Sequence, residues 1–222
     1  MGMEAIAPHL YLLTGFPKFA INVYLVGDVL LDAGTKLAHK RIMRQLAGRS
    51  VTAHALTHAH PDHQGSSHAV CEALGIPLWC GEGDADAMES GDLSGVLPVN
   101  WNTALQNVFW TGPAHPVARR LKEGDDVAGF EVIDAPGHSP GQVAYWREPD
   151  RVLILGDVIN GMNLITTVPG LHEPPRLFTV DPAKNRKSAR RLAGLHPKIV
   201  CFGHGRPWRD PDGFQRFVES LA

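Results

Sequence analysis

Between Leu56 and Gly65 the chain reads Leu-Thr-His-Ala-His-Pro-Asp-His-Gln-Gly, a segment that confines the fold more tightly than any other part of the sequence. His58, His60, Asp62 and His63 are four metal-capable side chains on one tight turn, and the apolar run Val51 to Leu56 that precedes them reads as a short strand. A strand running straight into such a turn lets the backbone aim all four at a common point. Imidazole nitrogen and carboxylate oxygen are donors suited to zinc, and also to iron or manganese. The fold must therefore leave the end of this strand open towards a site.

Three further donors stand in the same kind of place. His138 lies in Ala135-Pro-Gly-His-Ser-Pro-Gly141 between two predicted strands, Asp157 follows the apolar run Val152 to Leu155, and His204 sits in Gly203-His204-Gly205 at the end of the last predicted strand. Strand ends on one rim of a sheet sandwich converge in space, the usual way a rigid scaffold presents a site. Of the other histidines among the 12, His54, His68 and His172 are within reach of such a site. His9, His39, His115 and His196 show no motif and read as surface or packed residues.

The rest of the chain supplies two similar halves. Strands are expected over Leu10 to Leu13, Asn22 to Val26 and Val29 to Asp32, then a helix over Lys36 to Ala47 ended at Gly48. After the Val51 to Leu56 strand come a helix over Gly65 to Leu74 stopped by Gly75, and a strand over Ile76 to Cys80. Glu82 to Lys122 reads as an irregular insertion or lid. Val127 to Asp134, Gln142 to Trp146 and Arg151 to Leu155 read as strands, Asp181-Pro182 as the start of a helix to Leu192, Ile199 to Phe202 as a strand and Gly213 to Leu221 as a closing helix. No short-period repeat or low-complexity segment interrupts this order. Two sheets packed face to face with helices outside would bury both halves, and 222 residues fit one domain over 1–222.

Charge and targeting narrow the partners. The 21 basic and 23 acidic residues give a formal net charge of -2 without a long run of either sign, so no footprint for nucleic acid or an anionic membrane is present. A small-molecule substrate fits better. The first residues lack a basic-then-apolar signal pattern and no stretch reaches the roughly 18 apolar residues of a membrane span, which points to a cytoplasmic protein. Cys71, Cys80 and Cys201 form no C-x-x-C pair and read as buried free thiols. Nothing in the sequence sets the oligomeric state.

Taken together, the His-x-His-x-Asp-His turn, His138, Asp157 and His204 resemble the metallo-β-lactamase superfamily over essentially the whole chain, and especially its glyoxalase II-like hydrolases. The resemblance implies a four-layer αββα sandwich of two mixed sheets in the α/β (α+β) class. It also implies two divalent metal ions, zinc foremost with iron or manganese as alternatives: His58, His60 and His138 on the first, Asp62, His63 and His204 on the second, and Asp157 between them. Asp32, in Leu30-Leu-Asp-Ala-Gly-Thr35, matches a position that supports the site from behind, or else simply ends a strand. A hydroxide bridging the metals would attack an ester, thioester or lactone carbonyl, with Asp62 as the catalytic residue that orients it and passes its proton on.

Departures within the superfamily narrow the choice. Exported penicillin-type β-lactamases lack a bridging carboxylate, which this chain has in Asp157, and flavodiiron reductases carry a glutamate at the place of His60. The short tail after His204 leaves out the helical domain that holds glutathione in glyoxalase II. The competing readings are a mononuclear non-haem iron persulfide dioxygenase and a non-catalytic metal-binding module. Trp101, Phe109 and Trp110 either wall an acyl pocket or fasten the insertion to the core, and the loop Asn160 to Phe178, with Met162, Leu164 and Phe178, is a second candidate wall.

Overall fold

In the computed structural model, which describes residues 2–221, fourteen strands form two sheets and a small hairpin. The first sheet begins as an antiparallel meander of β1 (Met3–Ala7), β2 (Leu10–Leu13), β3 (Val23–Val26) and β4 (Val29–Leu31). After α1 (His39–Leu46) it continues in parallel through β5 (Ala53–Ala55). Then α2 (Pro61–Gln64) and α3 (Ser67–Leu74) lead to β6 (Leu78–Gly81), and α4 (Glu82–Ser90) and α5 (Trp101–Trp110) to the edge strand β7 (Val117–Leu121). The second sheet is built from β8 (Asp126–Val127), β9 (Phe130–Asp134), β10 (Val143–Arg147) and β11 (Val152–Ile154). The hairpin β12 (Asn160–Met162) and β13 (Pro169–His172), a 3-10 turn at Arg176–Phe178 and α6 (Pro182–Ala193) intervene before β14 (Ile199–Cys201) joins β11 in parallel; α7 (Pro211–Glu219) closes the described chain.

Alternation along the strands decides which side faces what, because successive side chains point to opposite faces. Tyr24, Val26, Val29 and Leu31 of the first sheet meet Val143, Tyr145, Val152 and Ile154 of the second in the central apolar layer. Their neighbours Val23, Leu25 and Leu30 turn outward to Ile42 and Leu46 of α1 and Val70 and Cys71 of α3. Ala144, Trp146 and Leu153 turn outward to Ala189 and Leu192 of α6 and Phe214 and Val218 of α7. The result is the four-layer αββα sandwich of two mixed sheets.

Buried polar bonds cross between the halves at the rim that carries the donor turn. The Tyr145 hydroxyl donates to Leu56 O at 2.6 Å, the Tyr24 hydroxyl to Phe202 O at 2.8 Å, and Asn22 Nδ2 to Phe202 O and Gly205 O at 2.9 and 2.7 Å. Together they satisfy the carbonyls of Leu56, Phe202 and Gly205, with Phe202 O taking two donors.

The structure differs from the sequence reading at several points. Glu82 to Lys122 is not an irregular insertion: it holds α4, α5 and β7. The helix expected over Gly65 to Leu74 is α3, starting at Ser67, with the short α2 ahead of it; β1 precedes the first expected strand, the strand expected over Val127 to Asp134 is a hairpin of β8 and β9, and the loop expected over Asn160 to Phe178 holds β12, β13 and the 3-10 turn. The last helix starts at Pro211 rather than Gly213, with Asp210 as N-cap accepting from Gly213 N at 2.9 Å, the arrangement that Asp181 and Lys184 N make at α6. All three cysteines are free and buried. No helix among the described residues is long and apolar enough to cross a membrane.

Candidate metal centre

Leu56 follows β5 directly, and Pro61, with no N–H to lose and a pre-set φ, starts α2 at its first turn. His60 is the extended N-cap residue whose carbonyl accepts from both His63 N and Gln64 N at 2.9 Å. This fold of six residues turns His58, His60, Asp62 and His63 to one side. His138 arrives from the β9–β10 connection, Asp157 from the end of β11 and His204 from the end of β14. The seven side chains meet at the rim shared by the two sheets.

Their donor atoms lie at coordination spacing. Those of His58, His60 and His138 lie within 4.8 Å of one another, as do those of Asp62, His63 and His204, and those of His58, His63 and Asp157. Asp157 reaches in two directions: Oδ1 stands 3.6 Å from His63 Nε2, while Oδ2 stands 3.6 Å from His138 Nε2 and 3.1 Å from His204 Nε2. His204 Nε2 is also 3.2 Å from Asp62 Oδ2. Two ligands held about 2.1 Å from one tetrahedral cation stand about 3.4 Å apart, so these separations match a shared ion.

Every histidine has its other ring nitrogen engaged, which fixes the nitrogen left for the centre. His58 Nδ1 meets Thr57 Oγ1 at 3.0 Å, His63 Nδ1 donates to Asp32 Oδ2 at 2.9 Å, His138 Nδ1 meets Thr179 Oγ1 at 3.2 Å and His204 Nδ1 donates to Ala20 O. His60 is inverted: its Nε2 donates to Val96 O at 2.8 Å, leaving Nδ1 inward. Among the described residues, Nε2 of His58, His63 and His204 and Oδ1 of Asp157 are buried without a hydrogen-bond partner. Four orphaned polar atoms in one cluster call for a cation.

The electrostatics divide the cluster. Burial, reinforced by neighbouring imidazoles, pushes His58 and His138 well below the ordinary histidine range, so their lone pairs are free. Burial also opposes charge on His63 and His204, but the carboxylates outweigh it: Asp32, Asp157 and Asp62 hold His63 well up, and Asp157 and Asp62 carry His204 to about 10. Against burial, His204 and His63 hold Asp157 well below the usual carboxylate range. The carboxylates thus form a negative well that attracts positive charge.

Asp84, which carries no motif, is a residue that sequence reasoning missed. Fully buried, its carboxylate accepts from Ala59 N at 2.9 Å, Ser139 Oγ at 2.7 Å and Gly141 N at 2.6 Å, joining the loop of His58 and His60 to that of His138. Asp32 accepts from Thr57 N at 2.8 Å as well as from His63. Gly203 is required by proximity, because a Cβ there would stand 2.0 Å from Asp157 Oδ1. His54 stays out of the cluster, its Nδ1 donating to Leu30 O and its Nε2 accepting from Ser67 Oγ. His68 pairs with His115 elsewhere, and neither it nor His172 lines the cavity at the centre.

That cavity, about 420 Å³, opens over His60, Asp62, His138, Asp157 and His204. Ile21, Trp110, Met162, Leu164 and Phe178 form its apolar walls, with Gln106 and Thr167 as polar points, and none of its lining residues is Lys or Arg. Trp101 and Phe109 line none of it; they are 75% and 57% exposed.

Comparison with known proteins agrees with this geometry. The sequence model described as "Metallo-beta-lactamase superfamily" matches residues 17–204. A "Probable metallo-hydrolase YybB" of Bacillus subtilis is 32% identical over 193 residues, covering 86% of this chain and 80% of that protein. A "Hydroxyacylglutathione hydrolase" of Bdellovibrio bacteriovorus is 26% identical over 151 residues, covering 66% of this chain and 46% of its own. Among solved structures, "TTHA1623 in a di-iron-bound form" superposes with a TM-score of 0.63 at 28% identity, covering 93% of both chains.

Proposed function

The chain belongs to the metallo-beta-lactamase superfamily, and from that premise we propose that it is a dinuclear metal-dependent hydrolase of esters, thioesters or lactones with an uncharged acyl part. The observation that carries the reading is the pair of donor triads joined by Asp157, with orphaned atoms aimed inward, beneath an apolar cavity. His58, His60 and His138 would hold one divalent cation and Asp62, His63 and His204 the other, with Asp157 touching both. Zinc suits these donors, and the di-iron form of a relative keeps iron as the alternative. Bound there, two cations supply an acidified water and a polarised carbonyl.

The protein's own groups set the rest. Among the donors Asp62 is the least enclosed, with its side chain 16% exposed against 3% for Asp157 and 5% for His204, so its carboxylate meets water and substrate in the cavity. It orients the attacking water, takes its proton and passes it to the leaving group. Ile21, Trp110, Met162, Leu164 and Phe178 bind an apolar acyl chain and exclude bulk water. A lining without Lys or Arg offers no side-chain cation to a substrate carboxylate remote from the metals, which favours an uncharged acyl group.

Metal-stripped protein reconstituted with zinc, iron or manganese, then offered p-nitrophenyl esters, thioesters, acyl lactones and β-lactams, tests the reading. The expected result is two metals in the cavity and hydrolysis that favours uncharged acyl groups. Persulfide-dependent oxygen uptake with one iron bound would sink it in favour of the dioxygenase. Asp157→Ala should lower turnover by at least about a hundredfold and leave about one cavity metal, with the circular dichroism spectrum unchanged, because two dications at short range need an anion between them. Retention of both metals and near-normal rates would refute the bridge.

A further inference from the structure

A second cluster of donors lies outside the cavity, on α3. His68 and Glu72 stand four residues apart on one face of that helix, and the connection from α5 to β7 carries His115 against them. His115 is only 8% exposed, His68 is half-buried, and Glu72 reaches solvent. Nδ1 of His115 stands 3.3 Å from Nδ1 of His68 and 4.0 Å from Glu72 Oε1, with the two rings edge to face. His68 Nδ1 is also 3.1 Å from Ala114 O.

Protons serve this cluster poorly. Each neutral imidazole has one N–H, and here the two Nδ1 atoms and the Ala114 carbonyl would all draw on a single hydrogen. A cation serves it better. Two nitrogens bound about 2.05 Å from a tetrahedral zinc stand about 3.3 Å apart, and the two rings already hold that spacing. Glu72 needs only a side-chain adjustment to supply the third donor. Burial and the adjacent His68 ring hold His115 below the ordinary histidine range, so its lone pair is free at neutral pH.

We propose that His68, Glu72 and His115 form a third divalent-metal site, for zinc, which fastens the α5–β7 connection to α3 and leaves the fourth position to water. That connection matters to the cavity. Gly112 packs so closely on Gly65 that a Cβ would stand 2.2 Å from Gly65 O, and Gly65 in turn approaches Trp110 O, beside a wall of the pocket. The site braces the wall from the side away from the chemistry.

Zinc titration of the 222-residue chain, with bound metal counted by mass spectrometry after desalting, tests this. Wild type should saturate at three zinc ions per chain. His115→Asn and the exposed Glu72→Gln should each bind one zinc ion fewer than wild type and retain the cavity ions, whereas Asp157→Ala should lose zinc from the cavity and keep the ion at His68. Cobalt substitution should show one tetrahedral spectrum lost in His115→Asn. A wild-type ion count that does not fall in His115→Asn and Glu72→Gln would overturn the site, whereas a wild-type count of two that falls to one in both would keep it and count against the dinuclear cavity instead.

Discussion

Asp32 shows how much of the centre depends on residues that touch no metal-facing atom. Its backbone is left-handed, with φ of 59°, a conformation that Asp and Asn tolerate better than other side-chain-bearing residues. From there Oδ2 receives His63 Nδ1–H and Oδ1 receives Thr57 N–H, so both faces of the carboxylate accept. Asp32→Asn keeps size and backbone but turns one acceptor into a donor facing a donor. Affinity for the ion at His63 should fall by about 10- to 100-fold in a competing-chelator titration; unchanged affinity would reduce Asp32 to a turn residue. His54 gives a separate pH prediction. Burial lowers its pKa to about 4 from 6.5, so as pH falls the unfolded chain takes up the proton first. Stability is complete above pH 6.5 and declines towards pH 4 by about 3 kcal/mol, and denaturant titrations of His54→Gln should show a shallower decline. That the seven side chains converge was legible in sequence because each follows a strand and carries metal-capable chemistry of its own. Asp84 and Thr179 were not, since what makes them matter is the loop of His138, 55 residues from Asp84 at Ser139 and 41 residues from Thr179.

At the scale of elements, α5 explains why the stretch after Glu82 escaped a sequence reading. Helices betray themselves by an apolar stripe facing the core, but Trp101, Leu105, Val108 and Phe109 of α5 are exposed, and only Thr103 is buried. Its start is marked instead by a capping box in which Asn100 accepts from Asn102 N and Thr103 N at 3.0 and 3.1 Å, with threonine where glutamate is usual. The edge strand β7 is disguised too, because Arg119 and Arg120 replace apolar alternation, a composition that discourages pairing with another chain. Asn100 Nδ2 also donates to Leu177 O at 2.7 Å and so links α5, which carries Trp110 and Gln106, to the turn that carries Phe178. Asn100→Ala should cost about 1 kcal/mol in stability and raise KM for long acyl esters several-fold with little change in kcat. An unchanged KM would mean that the two walls are positioned independently.

Across the whole molecule, the rim is where the two halves are sewn together. Asn22, in the first half, donates to two carbonyls that flank His204 in the second, while His204 itself donates to Ala20 O. Asn22→Ala would strip Gly205 O of this donor and leave Phe202 O only the Tyr24 hydroxyl. A loss of about 1–3 kcal/mol in denaturant unfolding is expected, together with weaker retention of the ion at His204 against a chelator; a stability loss with metal affinity intact would separate packing from positioning. The halves themselves were readable from alternating strands and helices, whereas this stitching was not, because it joins atoms remote in sequence. That remoteness bears on time as well as on structure. Bringing His204 to His58 closes a loop of roughly 150 residues at an entropic cost of about 4 kcal/mol, so a chain with only its first sheet formed offers ions a single crowded turn and nothing opposite it. Tight occupancy then becomes a late event in the life of each newly made chain, a stamp applied only after both sheets have docked.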